Sequence, residues 1–146
     1  MDDTVSGHTQ VDGPTEPTDL DKTEANKSLV RGFLEDVLKG GEYDKLTDYI
    51  SAETYIQHNP QVGDGLEGLG VFVKSLSEQG LTMVYDEIHR IIGCGSFVAA
   101  LSKMRLGEKD MAVIDLFRVA DGRIVEHWDV IEEIQPKETW VNSGKF

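Results

Sequence analysis

Residues 81–134 read LTMVYDEIHRIIGCGSFVAALSKMRLGEKDMAVIDLFRVADGRIVEHWDVIEEI, and this stretch decides the fold. It divides into segments at about 81–92, 96–106, 109–120 and 123–134, each rich in Val, Ile, Phe and Met and each long enough for a strand. The breaks between them are Gly93-Cys94-Gly95, Gly107-Glu108 and Asp121-Gly122. An Asp-Gly pair between apolar runs is the strongest short hairpin signal, so consecutive antiparallel strands are expected.

Working outward, the preceding residues carry a different period. Leu29, Val30, Phe33, Leu34, Val37 and Leu38 form the stripe of an amphipathic helix that Gly40 and Gly41 close. A shorter helix over about 42–50 sets Leu46, Tyr49 and Ile50 on one face, and a third over about 66–79 turns Leu69, Phe72, Val73 and Leu76 inward. Between them Ser51-Ala52-Glu53-Thr54-Tyr55-Ile56-Gln57-His58-Asn59-Pro60 suggests a short strand ending before the proline. Helices first and strands afterwards specify an α+β fold, with a curved, mainly antiparallel sheet packed on one face by three N-terminal helices. Gly63-Asp64-Gly65-Leu66-Glu67-Gly68 satisfies a dinucleotide-binding pattern, but no βαβ unit surrounds it, and it reads as a loop entering the third helix.

Composition narrows the class. The 146 residues carry 27 acidic and 14 basic side chains, a formal charge of −13, with 39% hydrophobic residues. No run approaches the roughly 20 apolar residues of a membrane span, and the arginines are scattered rather than clustered as a phosphate-tracking surface requires. Neither a membrane nor nucleic acid is an expected partner. A single cysteine, Cys94, excludes an intrachain disulfide framework and suggests a reducing compartment. Residues 1–20 carry Asp2, Asp3, Asp12, Glu16 and Asp19 with no basic residue and no apolar segment, so they read as a disordered acidic arm, and the expected location is cytoplasmic. A domain over 21–136 and a tail over 137–146, with Trp140 and Phe146, complete the expected organisation.

Candidate chemistry concentrates in Gly122-Arg123-Ile124-Val125-Glu126-His127-Trp128-Asp129-Val130. Residues of equal parity share a face of a strand, so His127 and Asp129 point one way and Glu126 and Trp128 the other. A two-residue turn at Asp121-Gly122 pairs 120 with 123, and counting back sets Ile114 opposite Asp129 and Leu116 opposite His127. If that face is concave, a partly desolvated carboxyl has the raised pKa that suits acid/base work; if it faces outward, the pair is solvated. His58, ending its strand, is a second candidate to project into a pocket beneath the helices. His58, His127 and Asp129 are also the residue types of a two-histidine, one-carboxylate metal site, but their spacing fixes no such geometry, and neither a metal nor an organic cofactor is expected.

The stretch from Asp115 to Val130, together with Tyr55-Ile56-Gln57-His58-Asn59-Pro60 and the glycine loop after it, resembles the SnoaL-like branch of the NTF2-like superfamily over about 21–136. The resemblance implies a cone of bent antiparallel sheet around helices, a deep pocket and a homodimer formed through the outer sheet face. It further implies that Asp129 matches the general acid/base of the branch's polyketide cyclases, with His58 and His127 as pocket positions. The expected activity is a cofactor-independent aldol cyclisation or isomerisation of a small or polycyclic carbonyl compound. Two other classes stand beside it: a module binding a small apolar molecule without turnover, and a dimeric interaction domain using the sheet face expected to carry Phe117 and Trp128.

Overall fold

The computed structural model describes residues 13–146 of the chain; the portion of the expected arm at 1–12 lies outside the described residues. The first helix, α1, spans Thr23–Phe33 and continues as a wider π-helical stretch at Leu34–Lys39 before Gly40. The second expected helix is reduced to a 3-10 turn at Tyr43–Lys45 and the single turn α2 at Leu46–Tyr49. Strand β1 covers only Ile56–Gln57, and α3 runs Gly65–Glu78. The long strands follow as expected: β2 (Met83–Cys94), β3 (Phe97–Leu106), β4 (Lys109–Ala120) and β5 (Arg123–Glu133).

These form one five-stranded sheet in the order β1-β5-β4-β3-β2, antiparallel except that β1 runs parallel to β5. The β4–β5 hairpin turns through Asp121 at φ 50° and Gly122 at φ 73°, two left-handed residues that match the right-handed twist of the strands. Irregularities in β2 between Tyr85 and Glu87 and between Ile88 and Arg90 bend the far edge of the sheet.

One irregularity corrects the register expected from the turn. Val119 pairs with Ile124, but Arg118 pairs with Glu126, so Val125 is an extra residue in β5. Every later partner moves by one: Phe117, not Leu116, faces His127, and Asp115, not Ile114, faces Asp129. Ile114 is therefore turned out and exposed, while Phe117 lies in the core and Trp128 on the other face, so the two aromatics do not share a surface.

The core sits between the concave face and α1 with its extension. Val30, Leu34 and Val37 reach 0% exposure, and Phe33 meets Phe117 edge to face at 5.8 Å. Helix α3 carries the expected apolar stripe yet has no buried residue, because that stripe lines a cavity, with Leu66 and Leu69 packed against the core as partly buried side chains. The N-terminal segment is tied to the sheet at Thr18, whose carbonyl accepts from Ser96 N at 2.8 Å and whose N–H donates to Ser96 Oγ at 3.0 Å. At the other end Phe146 stacks on His89 at 4.3 Å and Lys145 reaches Glu132, away from the cavity. Among the described residues no helix is long and apolar enough to cross a membrane.

Candidate active site

The cavity between α3, the α1 extension and the concave sheet face has a volume of about 470 Å³. Its walls are largely apolar, including Phe33, Val37, Leu69, Phe72, Met83 and Met104, with the exposed Lys74 and Ser77 at the rim. Apart from these two and from Tyr43 and Gln61, the polar lining groups cluster at one end: Tyr55, Gln57, Asn59, Tyr85, Asp115, His127 and Asp129. Alternation explains most of this set. Tyr55, Gln57 and Asn59 are every second residue along β1 and its flanks, Asp115 is directly opposite Asp129 across β4–β5, and His127 is two residues before Asp129.

The polar end is a connected network. Asp115, 1% exposed, accepts Tyr85 O–H on Oδ2 at 2.8 Å and faces His127 Nε2 with Oδ1 at 2.7 Å. On the other side of the imidazole, Nδ1 lies 2.8 Å from Gln57 Oε1. That oxygen also accepts the backbone N–H groups of His58 and Asn59, each at 3.0 Å, which fixes which end of the Gln57 amide is oxygen. His127 Nδ1 must then carry a hydrogen, and the contact between Nε2 and Asp115 holds one proton between two groups. The glycine-rich loop supports this arrangement: Asp64 Oδ1 accepts Gln57 N–H at 2.7 Å, and Gly65, at φ 74°, donates its N–H to Tyr55 O at 2.7 Å.

Asp129 stands half-buried beside this network. Burial pushes its carboxyl above the ordinary value, while the hydrogen bond from Asn59 and the nearness of His127 draw it down and Asp115 pushes it up again. Asn59 Nδ2 lies 3.1 and 3.0 Å from the two carboxylate oxygens, and Asn59 Oδ1 accepts Gln61 N–H at 2.9 Å, which orients the amide. The hydroxyls of Tyr55 and Tyr85 are held neutral, first by burial and then by the charge of Asp115.

His127 and Asp129 thus meet in the cavity, and His58 does not join them. Gln57 faces the cavity, so the next residue along the strand points to the opposite side. There His58 Nε2 contacts Glu126 Oε2 at 2.8 Å, its ring stacks on Trp128 at 4.7 Å, and Arg118 Nε donates to Glu126 Oε1 at 2.7 Å. The metal set His58, His127 and Asp129 is therefore not assembled. Asp115, His127 and Asp129 do bring one ligand atom each within 4.8 Å of one another. That set does not suit a metal as arranged, because both imidazole nitrogens are committed to Asp115 and Gln57 and no ring lone pair is free.

Tyr55, Gln57, Asn59, Tyr85 and Asp115 are absent from the site expected by sequence. One signal for Asp115 was present: an acid in the middle of the apolar run from Met111 to Phe117. Tyr55, Gln57 and Asn59 needed the parity of a two-residue strand, and Tyr85 needed the inward face of β2.

The model of the family described as SnoaL-like domain matches residues 30–127, so the matched stretch ends two residues before Asp129. No curated protein matches the chain. Among solved structures, a protein of unknown function with a cystatin-like fold from Xanthomonas campestris superposes with a TM-score of 0.62 at 21% identity, covering 73% of this chain and 89% of that one. IdmH, a candidate polyketide cyclase from Streptomyces antibioticus, gives 0.55 at 23% identity over 73% and 91%. A candidate ketosteroid isomerase from Kribbella flavida gives 0.60 at 14% identity over 85% and 93%. At these identities the likeness is one of fold.

Proposed function

The chain belongs to the SnoaL-like family, and from that premise we propose that it is a cofactor-independent acid/base enzyme acting on a small or polycyclic carbonyl compound. The observation that carries the reading is Asp129: a half-buried carboxyl with a raised pKa, oriented by Asn59, at the polar end of an otherwise apolar cavity. Fold neighbours described as a cyclase and as an isomerase support it by analogy only, since one fold hosts many activities.

In this reading Asp129 takes the proton from a carbon next to the carbonyl, the C–H electron pair becomes the C=C bond of an enolate, and the C=O π pair moves onto the carbonyl oxygen. The enolate then either attacks a second carbonyl carbon of the same folded substrate, forming the ring C–C bond, or is reprotonated at another carbon. In both cases the proton returns from Asp129, to the new alkoxide or to carbon, and the books on charge and hydrogen close without a redox group. His127 acts as a positioning residue whose hydrogens are already committed to Asp115 and Gln57. The same reading pairs two copies through the outer sheet face, where Ile114 and Val130 stand opposite one another and exposed.

Solvent-deuterium exchange into a panel of aryl and cyclic ketones tests it. The wild type is expected to label the α-carbon and Asp129→Asn to lose ~10²–10⁴ in rate, the usual worth of a positioned general base. Ketone binding that survives Asp129→Asn, with no exchange in the wild type, would instead identify a binding module.

A further inference from the structure

The acid/base reading leaves the carbonyl oxygen without a donor. Of the two histidines that the resemblance implies as pocket positions, His58 is on the far side of the sheet and His127 has both ring nitrogens engaged. Enolate formation in an apolar cavity places nearly a full negative charge on that oxygen, and a positioned donor is usually the largest single contribution to such a step.

The polarity of the Gln57 amide points to the missing group. Gln57 Oε1 receives the backbone N–H groups of His58 and Asn59 and the Nδ1 of His127, so this end of the amide is oxygen and nothing else. The other end is therefore NH2, and it donates to Tyr55 Oη at 3.2 Å. A phenol has one hydrogen, and here it cannot be directed to Gln57, which presents only hydrogens. Among the described residues no acceptor for the Tyr55 hydrogen is found, although Tyr55 is 5% exposed and lines the cavity. A buried hydroxyl with an unused hydrogen costs stability unless something else receives it.

Resting on the acid/base reading above, we propose that Tyr55 is a catalytic residue whose O–H donates to the carbonyl oxygen of the substrate, and that Gln57 is the positioning residue that turns this hydrogen toward the cavity. The direction of donation runs from the backbone and His127 into Gln57, from Gln57 into Tyr55, and from Tyr55 into the ligand. Reversal at one link removes the donor. The preferred substrate class follows: a neutral ketone, whose oxygen accepts one hydrogen bond and becomes anionic only during reaction.

The test uses the full chain and 1-tetralone carrying a 13C-labelled carbonyl. Infrared difference spectra are expected to show the bound C=O stretch at lower wavenumber in the wild type than in Tyr55→Phe. Gln57→Glu should behave as Tyr55→Phe does, because a carboxylate at 57 still serves both backbone groups and His127 but draws the Tyr55 hydrogen back to itself. Asp129→Asn should keep the spectral shift while losing exchange. In exchange kinetics Tyr55→Phe is expected to lower kcat ~10²–10³-fold, the effect of removing one donor to a developing oxyanion, with KM changed little. A carbonyl frequency unmoved by both Tyr55→Phe and Gln57→Glu overturns the proposal, as does failure of 1-tetralone to bind saturably up to its solubility limit. The two readings separate cleanly: a Tyr55-dependent shift without exchange in the wild type removes the acid/base reading and keeps the donor, whereas Asp129-dependent exchange indifferent to Tyr55→Phe does the reverse.

Discussion

Two carboxylates directly opposite one another across β4–β5 are given different work by their neighbours. Asp115, 1% exposed, is saturated by Tyr85 and His127, so its charge is spent inside the protein. Among the described residues Asp129 has the Asn59 amide as its one hydrogen-bond partner, and it lines the cavity. Burial raises Asp129, which means the folded state holds its proton more tightly than the unfolded chain does. The stability contribution is therefore lost as pH rises from the ordinary carboxyl value through the raised one, and at neutral pH the ionised carboxylate is a net cost. Activity runs the other way, because a base must be ionised. Asn59→Ala removes the hydrogen bond that draws Asp129 down, so the rising limb of the exchange rate against pH should move to higher pH. Asp129→Asn should abolish that limb and flatten the thermal-stability profile over the same window. An unmoved limb in Asn59→Ala would show that another group sets it.

At the scale of elements, the strands were legible and their faces were not. Gly93-Cys94-Gly95, Gly107-Glu108 and Asp121-Gly122 mark turns by their own chemistry, and each strand between them carries enough apolar residues to be recognised alone. The extra residue Val125 has no such mark. It exists because Ile124, Val125, Glu126 and His127 are all buried in succession, which a regular strand with one solvated face does not allow. Glu126 is paired through Arg118 of β4 and His58 just past β1, so the burial that accompanies the bulge is tertiary. The site suffers the same limit: parity finds His127 and Asp129, but Asp115 enters through the one-residue shift and Tyr55, Gln57 and Asn59 through a parallel pairing that leaves almost no local trace. Helix α3 shows a third case, since its apolar stripe reads as core although it faces a cavity. Truncation should reveal the difference. Leu34→Ala, at 0% exposure, is expected to cost ~2–5 kcal/mol by urea unfolding. Val73→Ala, on a helix without one buried residue and on the wall of the cavity, should cost roughly 1 kcal/mol or less, the range of changes outside a packed core, while weakening ketone binding. Equal losses would mean that α3 is packed as core.

For the whole molecule, the formal charge of −13 and the outer face of the sheet pull in opposite directions. On that face Ile114 and Val130 are cross-strand neighbours at 52% and 73% exposure, Leu101 pairs with Ile114, and Leu116 pairs with Trp128. An apolar band of this kind on an exposed sheet face is a candidate surface for association, and the proposed homodimer would bury it. Two copies of the same acidic chain repel one another, however, and the repulsion is screened over about 8–10 Å at 0.1–0.15 M salt. Dimerisation should therefore strengthen as salt rises, opposite to an assembly held by ion pairs. Light scattering behind size exclusion is expected to give twice the 16.2 kDa chain mass at physiological salt, with more monomer in low salt. Val130→Glu, which sets a carboxylate in the middle of the band on both copies, should leave a monomer at every salt concentration. Since the residues lining the cavity and those of the outer band occupy opposite faces of one sheet, this monomer should still exchange deuterium into a ketone. A wild type that is monomeric throughout would remove the dimer, and a Val130→Glu monomer without exchange would show that the site depends on the partner copy.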